Sequence, residues 1–262
     1  MLTFPNISPT VFSFGPFQIR WYGLFYIISF FIGYIFLKKI IIKRRIKLTD
    51  KQYEELLFHI VLGVILGGRI GYVLFYNLFY YLSNPLSIFA VWQGGMSFHG
   101  GILGVIISGM IFMKRNKQSF MKLADSAMPL VAIGLGLGRL GNFINAELYG
   151  RITDKPWGMI FPNSDGLPRH PSQLYEFFLE GVILSIISFF ILKKSSKDGT
   201  VFWSWIGLYG VFRFFVEFFR EPDSHIGYIF KIFTMGQILS FVMIILSLIY
   251  IYKLLCKEKE FQ

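Results

Sequence analysis

Apolar positions run along most of this chain in long unbroken stretches. They do not alternate, as on a half-buried strand, or recur every third or fourth residue, as on a surface helix. Seven stretches are legible, at about 17–37, 53–76, 88–113, 125–144, 174–192, 200–219 and 236–255. Each is close to or above the ~18–20 apolar residues that carry a helix across a bilayer. Continuous runs exclude a transmembrane β-barrel, whose strands alternate. The pattern predicts an all-α polytopic membrane protein with about seven transmembrane helices, built as a single membrane-embedded domain over 1–262.

The polar connections between the runs set the expected topology. Lys38, Lys39, Lys43, Arg44, Arg45, Lys47 and Lys51 follow the first run, and Lys114, Arg115, Lys117 and Lys122 follow the third. Lys193, Lys194 and Lys197 follow the fifth, and Lys253, Lys257 and Lys259 close the seventh. The other connections are poor in cations: only Arg151, Lys155 and Arg169 in 145–173, only Arg220 and Lys231 in 220–235, and none in 77–87. Basic loops stay in the cytoplasm, so the N-terminus is expected outside and the C-terminus inside.

Composition agrees. The chain of 262 residues is 54% hydrophobic with 31 Phe, and only 16% of it is charged, against about 25% in soluble domains. A net charge of +11 would suggest nucleic acid in a soluble protein. Here the positive-inside pattern accounts for it, and no nucleic-acid partner is expected. The single Cys256 cannot form an intrachain disulfide. The first run has no charged segment before it and is long enough to span, so no cleavable signal peptide is expected.

Local signals refine the helices. Thr49 and Gln52 have capping-box spacing at the start of the second run. Gly63/Gly67/Gly71, Gly100/Gly104 and Gly134/Gly138 form ridges of small residues that let helices approach closely. The 145–173 connection carries Pro156, Pro162, Pro168 and Pro171 and is expected to be an ordered cap on the outer face.

Polar residues inside the runs converge on one depth. A charged residue in a membrane helix costs on the order of 2.5–3.5 kcal/mol even on the gentlest insertion scale, so each such residue needs a partner or a ligand. At ~1.5 Å per residue, Arg20, Tyr22, Arg69, His99, Arg139, Asn142, Glu180, Arg213 and Glu217 all fall in the outer half. His59 and the rim residue Asp125 fall in the inner half. The acids counted at the outer depth, Glu147, Glu180 and Glu217, are fewer than the arginines. The expectation is a net-positive cavity suited to a phosphate.

Individual readings differ. Arg139 and Asn142 share a helix face, and Arg213 and Glu217 are spaced to pair. His99 lies between two glycine pairs in Gly94-Gly95-Met96-Ser97-Phe98-His99-Gly100-Gly101, which suggests an interrupted helix beside protein or a wet cavity. A neutral imidazole there can take a proton from a thiol or hydroxyl. His59 reads as a packed or helix-facing residue. His170 and His225 fall in outer loops with no ligand spacing to a metal. Arg20 and Arg69 either snorkel to the outer interface or serve the cavity.

Residues 138–151, Gly-Arg-Leu-Gly-Asn-Phe-Ile-Asn-Ala-Glu-Leu-Tyr-Gly-Arg, resemble the signature of the prolipoprotein diacylglyceryl transferases. Further blocks resemble the same family in the same order. They are Arg20-Trp21-Tyr22-Gly23, Gly94 to Gly101, His170-Pro171-Ser172-Gln173-Leu174-Tyr175-Glu176, and Arg213 through Phe219-Arg220-Glu221-Pro222-Asp223. The resemblance spans nearly the whole chain. It implies a multi-pass enzyme of the bacterial cytoplasmic (inner) membrane, with its active site toward the outer leaflet. Such an enzyme moves the diacylglyceryl group of phosphatidylglycerol onto the lipobox cysteine thiol of a preprolipoprotein. A thioether forms and glycerol 1-phosphate leaves. The family's important positions carry over to Tyr22, His99, Arg139, Asn142, Glu147, Gly150, Arg213 and Glu217. No metal or organic cofactor is implied, and the partners are phosphatidylglycerol, the lipobox signal peptide and membrane lipids.

On this reading Arg139 and Arg213 clamp the phosphate as negative charge gathers on it, and Asn142 and Tyr22 orient it. Glu147 and Glu217 hold the arginines, and Gly150 permits a turn that a Cβ would block. The thiol is activated either by His99 as base or by the arginine field alone. Two other classes compete. An anion transporter fits broken helices, but the polar layer is confined to one half and no repeat is present. Another headgroup enzyme would need a metal site or a protein nucleophile, and neither pattern is there.

Overall fold

The structure is a computed structural model that describes residues 2–15, 17–222, 228–229 and 232–259. Asp223, His225 and Lys231, with the side chains of Lys257 and Lys259, lie outside the described residues. The elements in chain order are β1 (Leu2–Thr3), β2 (Thr10–Phe14), β3 (Phe17–Arg20), α1 (Trp21–Lys43), α2 (Asp50–Tyr76), α3 (Leu78–Ser83), α4 (Phe98–Arg115), α5 (Phe120–Ile144), β4 (Met159–Ile160), α6 (Ser172–Glu176), α7 (Leu184–Lys194), α8 (Thr200–Val216), β5 (Tyr228–Ile229), β6 (Phe233–Thr234) and α9 (Met235–Lys259). A π-helical turn, Phe177–Ile183, joins α6 to α7, so that Ser172–Lys194 is one continuous apolar helix.

Among the described residues five helices are long and apolar enough to cross a membrane: Trp21–Lys43, Asp50–Tyr76, Phe120–Ile144, Ser172–Lys194 and Met235–Leu254. Thr200–Val216 is apolar but shorter. The protein is mainly helical and has the make-up of a multi-pass membrane protein.

Three expectations need correction. The first apolar run does not begin as helix at residue 17. Phe17–Arg20 pairs antiparallel with Thr10–Phe14, Phe14 opposite Phe17, across a turn in which Gly15 takes φ +57. Sheet hydrogen bonds satisfy that backbone, and the helix starts only at Trp21. The third run is not one helix over 88–113. Residues 85–93 form short 3-10 turns, and Gly94 and Gly95 take φ +85 and +77, conformations that side chains disfavour. Ser97 then caps α4 by accepting from the Gly100 amide at 3.2 Å. Finally, all-α is too strict. Among the described residues β1 pairs with β4, β2 with β3 and β5 with β6.

The chain divides into two compact units, Met1–Leu37 with Ala124–Gln262, and Lys38–Leu123. In the second, α2 opens on the expected capping box: Thr49 Oγ1 accepts from the Gln52 amide at 3.2 Å and Gln52 Oε1 accepts from the Thr49 amide at 2.9 Å. The glycine ridges of α2 and α4 meet directly. A Cβ on Gly63 would lie 2.6 Å from the Gly104 carbonyl oxygen, and one on Gly71 would lie 2.8 Å from Gly100 Cα. His59 faces its own helix, its Nδ1 2.7 Å from the Glu55 carbonyl oxygen.

Arg69 does not snorkel outward. It is buried at 4% exposure and donates to the carbonyl oxygens of Ile88 (2.7 Å), Gly94 (2.6 Å), Gly95 (3.1 Å), Ser87 (2.5 Å) and Ala90 (3.3 Å). Its guanidinium also lies 5.1 Å from the centroid of the Tyr81 ring. The 85–95 segment has left the regular helix, so its carbonyls need other donors, and one guanidinium with five N–H groups supplies them.

In the other unit, Asp125 is fully buried and accepts from the amides of Gly199 (2.9 Å) and Phe202 (2.8 Å), capping the start of α8. The Gly134/Gly138 ridge is not the main crossing point of α5. Gly134 faces Ser29 at ordinary distance, and a Cβ on Gly138 would meet open space. The close approach is at Gly136, where a Cβ would lie 2.9 Å from Gly181 Cα in the π turn. Beside it, Ala132, Leu184 and Trp205 form a buried apolar cluster.

Candidate active site

The Gly136–Gly181 contact brings the end of α5 against the start of the Ser172–Lys194 helix, and two opposite charges meet there. Arg139 Nε lies 3.3 Å from Glu176 Oε2. The other oxygen, Glu176 Oε1, accepts from Arg213 Nη1 on α8. Arg213 continues the chain of pairs: its Nη2 is 2.6 Å from Glu217 Oε1, one turn along, and its Nη1 is 3.9 Å from Glu180 Oε1. Arg220 Nη1 lies 3.5 Å from the same Glu217 oxygen, and the second Glu217 oxygen accepts from Thr234 Oγ1 at 2.8 Å. Thr234 also forms a reciprocal cap with Gln237 at the start of α9. Helices α5, α6 and α8 are thus tied by one ionic network, which the Thr234 hydroxyl bond extends to the residue before α9.

Glu147 sits in a turn that follows α5. Its neighbours Ala146 and Leu148 take φ +53 and +56, left-handed backbone that costs a residue with a Cβ roughly 1–2 kcal/mol. That turn folds Glu147 back on the helix end, where its Oε1 accepts from Asn142 Nδ2 at 2.7 Å and Asn145 Nδ2 at 3.2 Å. The Glu147 carbonyl accepts from Gln173 Nε2 at 2.7 Å. Tyr22 packs on the same end of α5, because Gly141 leaves room for its ring: a Cβ there would be 2.7 Å from Tyr22 Cδ2. The Tyr22 and Tyr26 hydroxyls are 3.4 Å apart.

Gly150 follows in an antiparallel bridge with Arg220. Its amide donates to the His170 carbonyl at 2.8 Å and the Arg151 amide donates to the Phe219 carbonyl at 2.8 Å. A Cβ would collide with the Phe219 carbonyl oxygen and lie 2.8 Å from His170 Cβ. Gly150→Ala is therefore expected to cost about 1–3 kcal/mol of stability and to displace Arg220. A thermal melt in detergent measures it, and an unchanged midpoint would show that the Gly150–Arg220 bridge yields freely.

Backbone hydrogen bonds run through the 145–173 segment. The Thr153 amide donates to the Pro168 carbonyl (2.9 Å) and the Met159 amide to the Arg169 carbonyl (2.9 Å), over an apolar cluster of Phe143, Ala146 and Phe161. Arg169 bridges Asp165 (2.8 Å) and Glu221 (3.0 Å). Its hydrogen bonds hold the Asp165 carboxyl below the ordinary aspartate value, and Asp165 in turn raises Arg169. His170 Nδ1 lies 3.0 Å from the Tyr175 hydroxyl, and burial lowers the His170 pKa below its ordinary value.

Tyr22, Arg139, Asn142, Glu147, Gly150, Arg213 and Glu217 all belong to one compact unit. His99 belongs to the other, as the second residue of α4, with its ring edge-on to Phe98 at 5.7 Å. The Arg213–Glu217 pair forms as its spacing predicts. Glu147 does not hold an arginine; it binds two asparagines instead. The acid that holds both Arg139 and Arg213 is Glu176, which the sequence reading left out of its count. With Glu176 included, three carboxylates (Glu176, Glu180 and Glu217) stand beside three guanidiniums (Arg139, Arg213 and Arg220) in the network. The signal was available: Glu176 is a carboxylate in the first turn of the fifth apolar run. Among the described residues no group of His, Cys, Asp and Glu is arranged to hold a metal ion.

Residues 9–253 match the family described as prolipoprotein diacylglyceryl transferase. The chain is 53% identical over 247 residues to the phosphatidylglycerol–prolipoprotein diacylglyceryl transferase of Geobacter sulfurreducens, covering 94% of this chain and 95% of that protein. It is 50% identical over 252 residues to the protein of the same name from Rickettsia rickettsii (strain Sheila Smith), covering 94% and 96%. To that from Vibrio campbellii it is 50% identical over 248 residues, covering 95% and 91%. Likeness of this extent runs through every helix that contributes to the arginine network, and the chain belongs to the prolipoprotein diacylglyceryl transferase family.

Proposed function

We propose that this transferase moves the diacylglyceryl group of phosphatidylglycerol to the lipobox cysteine of a preprolipoprotein. The thiol sulfur attacks the glyceryl carbon, the carbon–oxygen bond to phosphate breaks, and glycerol 1-phosphate leaves with the electron pair. The observation that carries the reading is the pairing of Arg139 and Arg213 through one buried carboxylate. It presents two guanidiniums from separate helices, already oriented, where a phosphate ester would gain charge. Asn142, oriented by Glu147, and Tyr22 supply hydrogen bonds beside them. Glu217 braces Arg213, and Gly150 sets the chain path that carries Arg220. The thiol proton passes to His99, or the arginine field alone lowers the thiol pKa.

The chain crosses the bacterial inner membrane about seven times as a single domain, with its N-terminus outside, its C-terminus in the cytoplasm and the 145–173 cap on the outer face. The distribution of lysine and arginine between the connections supports this orientation. The purified protein in detergent, given phosphatidylglycerol and a lipobox peptide, is expected to add one diacylglyceryl mass to the peptide and release glycerol 1-phosphate in equal amount. A folded protein that leaves the peptide unmodified would overturn the reading.

A further inference from the structure

We propose that Glu176 is a positioning residue that holds Arg139 and Arg213 as one unit, aimed at a single phosphate. The proposal rests on the phosphate-clamp reading above and adds to it the group that sets the clamp's geometry.

The two oxygens of Glu176 are divided between the two arginines: Oε2 is 3.3 Å from Arg139 Nε, and Oε1 accepts from Arg213 Nη1. Its side chain is 0% exposed, whereas Arg139 and Arg213 keep 20% and 12%. The carboxylate is therefore fully enclosed, while both arginine side chains keep some accessible surface. Arg213 is also braced by Glu217 at 2.6 Å. Among the described residues Glu176 is the one acid within ion-pair distance of Arg139, so Arg139 depends on it more.

The backbone is shaped around this contact. Glu176 stands where α6 gives way to the π turn Phe177–Ile183, a wide form of helix that is rare and frequently found at functional sites. The Gly136–Gly181 approach then fixes the turn against α5. An amide could not replace the carboxylate. A Gln side chain of the same size has one acceptor oxygen, so its NH₂ would face an arginine donor. Glu176 also neutralises charge, so it opposes ground-state anion binding while it orients the groups that act in the transition state.

This conflict supplies the test. Glu176→Gln is expected to lower kcat for peptide modification about 100-fold, the scale set by misplacing a catalytic group by ~1 Å. Inhibition by glycerol 1-phosphate is expected to stay unchanged or tighten. In an Arg139→Lys background, the same Glu176→Gln change is expected to lower kcat little further, because its effect passes through Arg139. Glu176→Asp, which keeps the charge, is expected to fall between wild type and Gln, and serves if the Gln variant does not fold. The proposal is overturned if kcat and product inhibition weaken together with a loss of thermal stability, or if the two substitutions add. A wild-type protein that glycerol 1-phosphate does not inhibit would instead sink the clamp reading itself.

Discussion

Arg139→Lys is expected to lose most transferase turnover, by about 10²–10³-fold in kcat, the range for removing one preorganised donor from a developing oxyanion. Arg139 does two things through different edges. Its Nε pairs with Glu176 at 3.3 Å, and its terminal nitrogens remain to meet a phosphate. A lysine ammonium is a single point of charge without a planar fork. It can satisfy Glu176 or reach the phosphate, and buried Glu176 would hold it. The side chain keeps its charge and most of its length, so the fold should survive. The check is kcat for lipobox-peptide modification beside a thermal melt. A variant with wild-type turnover would exclude Arg139 from the clamp.

Arg69→Met is expected to cost more stability than other single changes considered for this chain, upward of ~4 kcal/mol. Five backbone carbonyls, on Ser87, Ile88, Ala90, Gly94 and Gly95, lose their donor at once. Leaving one buried polar group unsatisfied costs about 1–3 kcal/mol, and single substitutions above 4–5 kcal/mol are exceptional. Methionine keeps apolar bulk, so the loss would report hydrogen bonding and not a cavity. Thermal unfolding and amide exchange across residues 84–97 measure it. If those amides exchange no faster than in wild type, Arg69 is not what orders the segment.

Both residues show how far the one-dimensional pattern reaches. A lone arginine in an apolar run signals a cost that something must offset, and that much was visible at Arg69, Arg139 and Arg213. The pattern does not say what offsets it. The Arg69 acceptors lie 18 to 26 residues away, on carbonyls that every residue carries and that no composition marks. The Arg213–Glu217 pair was legible because four residues make one helical turn. The Arg213–Glu176 pair was not, because it joins separate helices 37 residues apart. Phe17-Gln18-Ile19-Arg20 forms a strand although the apolar pattern had merged it into the first helix, because four residues at the edge of a long run do not change its overall character.

The sequence by itself determined that the chain is helical and apolar enough for a membrane, where most helices begin and end, and which residues belong to the transferase family's motifs. Those features follow from local physics: backbone groups in an apolar setting must bond within their own segment, and caps, glycines and charge runs act over a few residues. Only the tertiary structure decided the partners. It assigned Glu147 to Asn142 and Asn145, gave both arginines to Glu176, and turned Arg69 inward. Each is a choice among groups distant in sequence, made by which helices the glycines allow to touch.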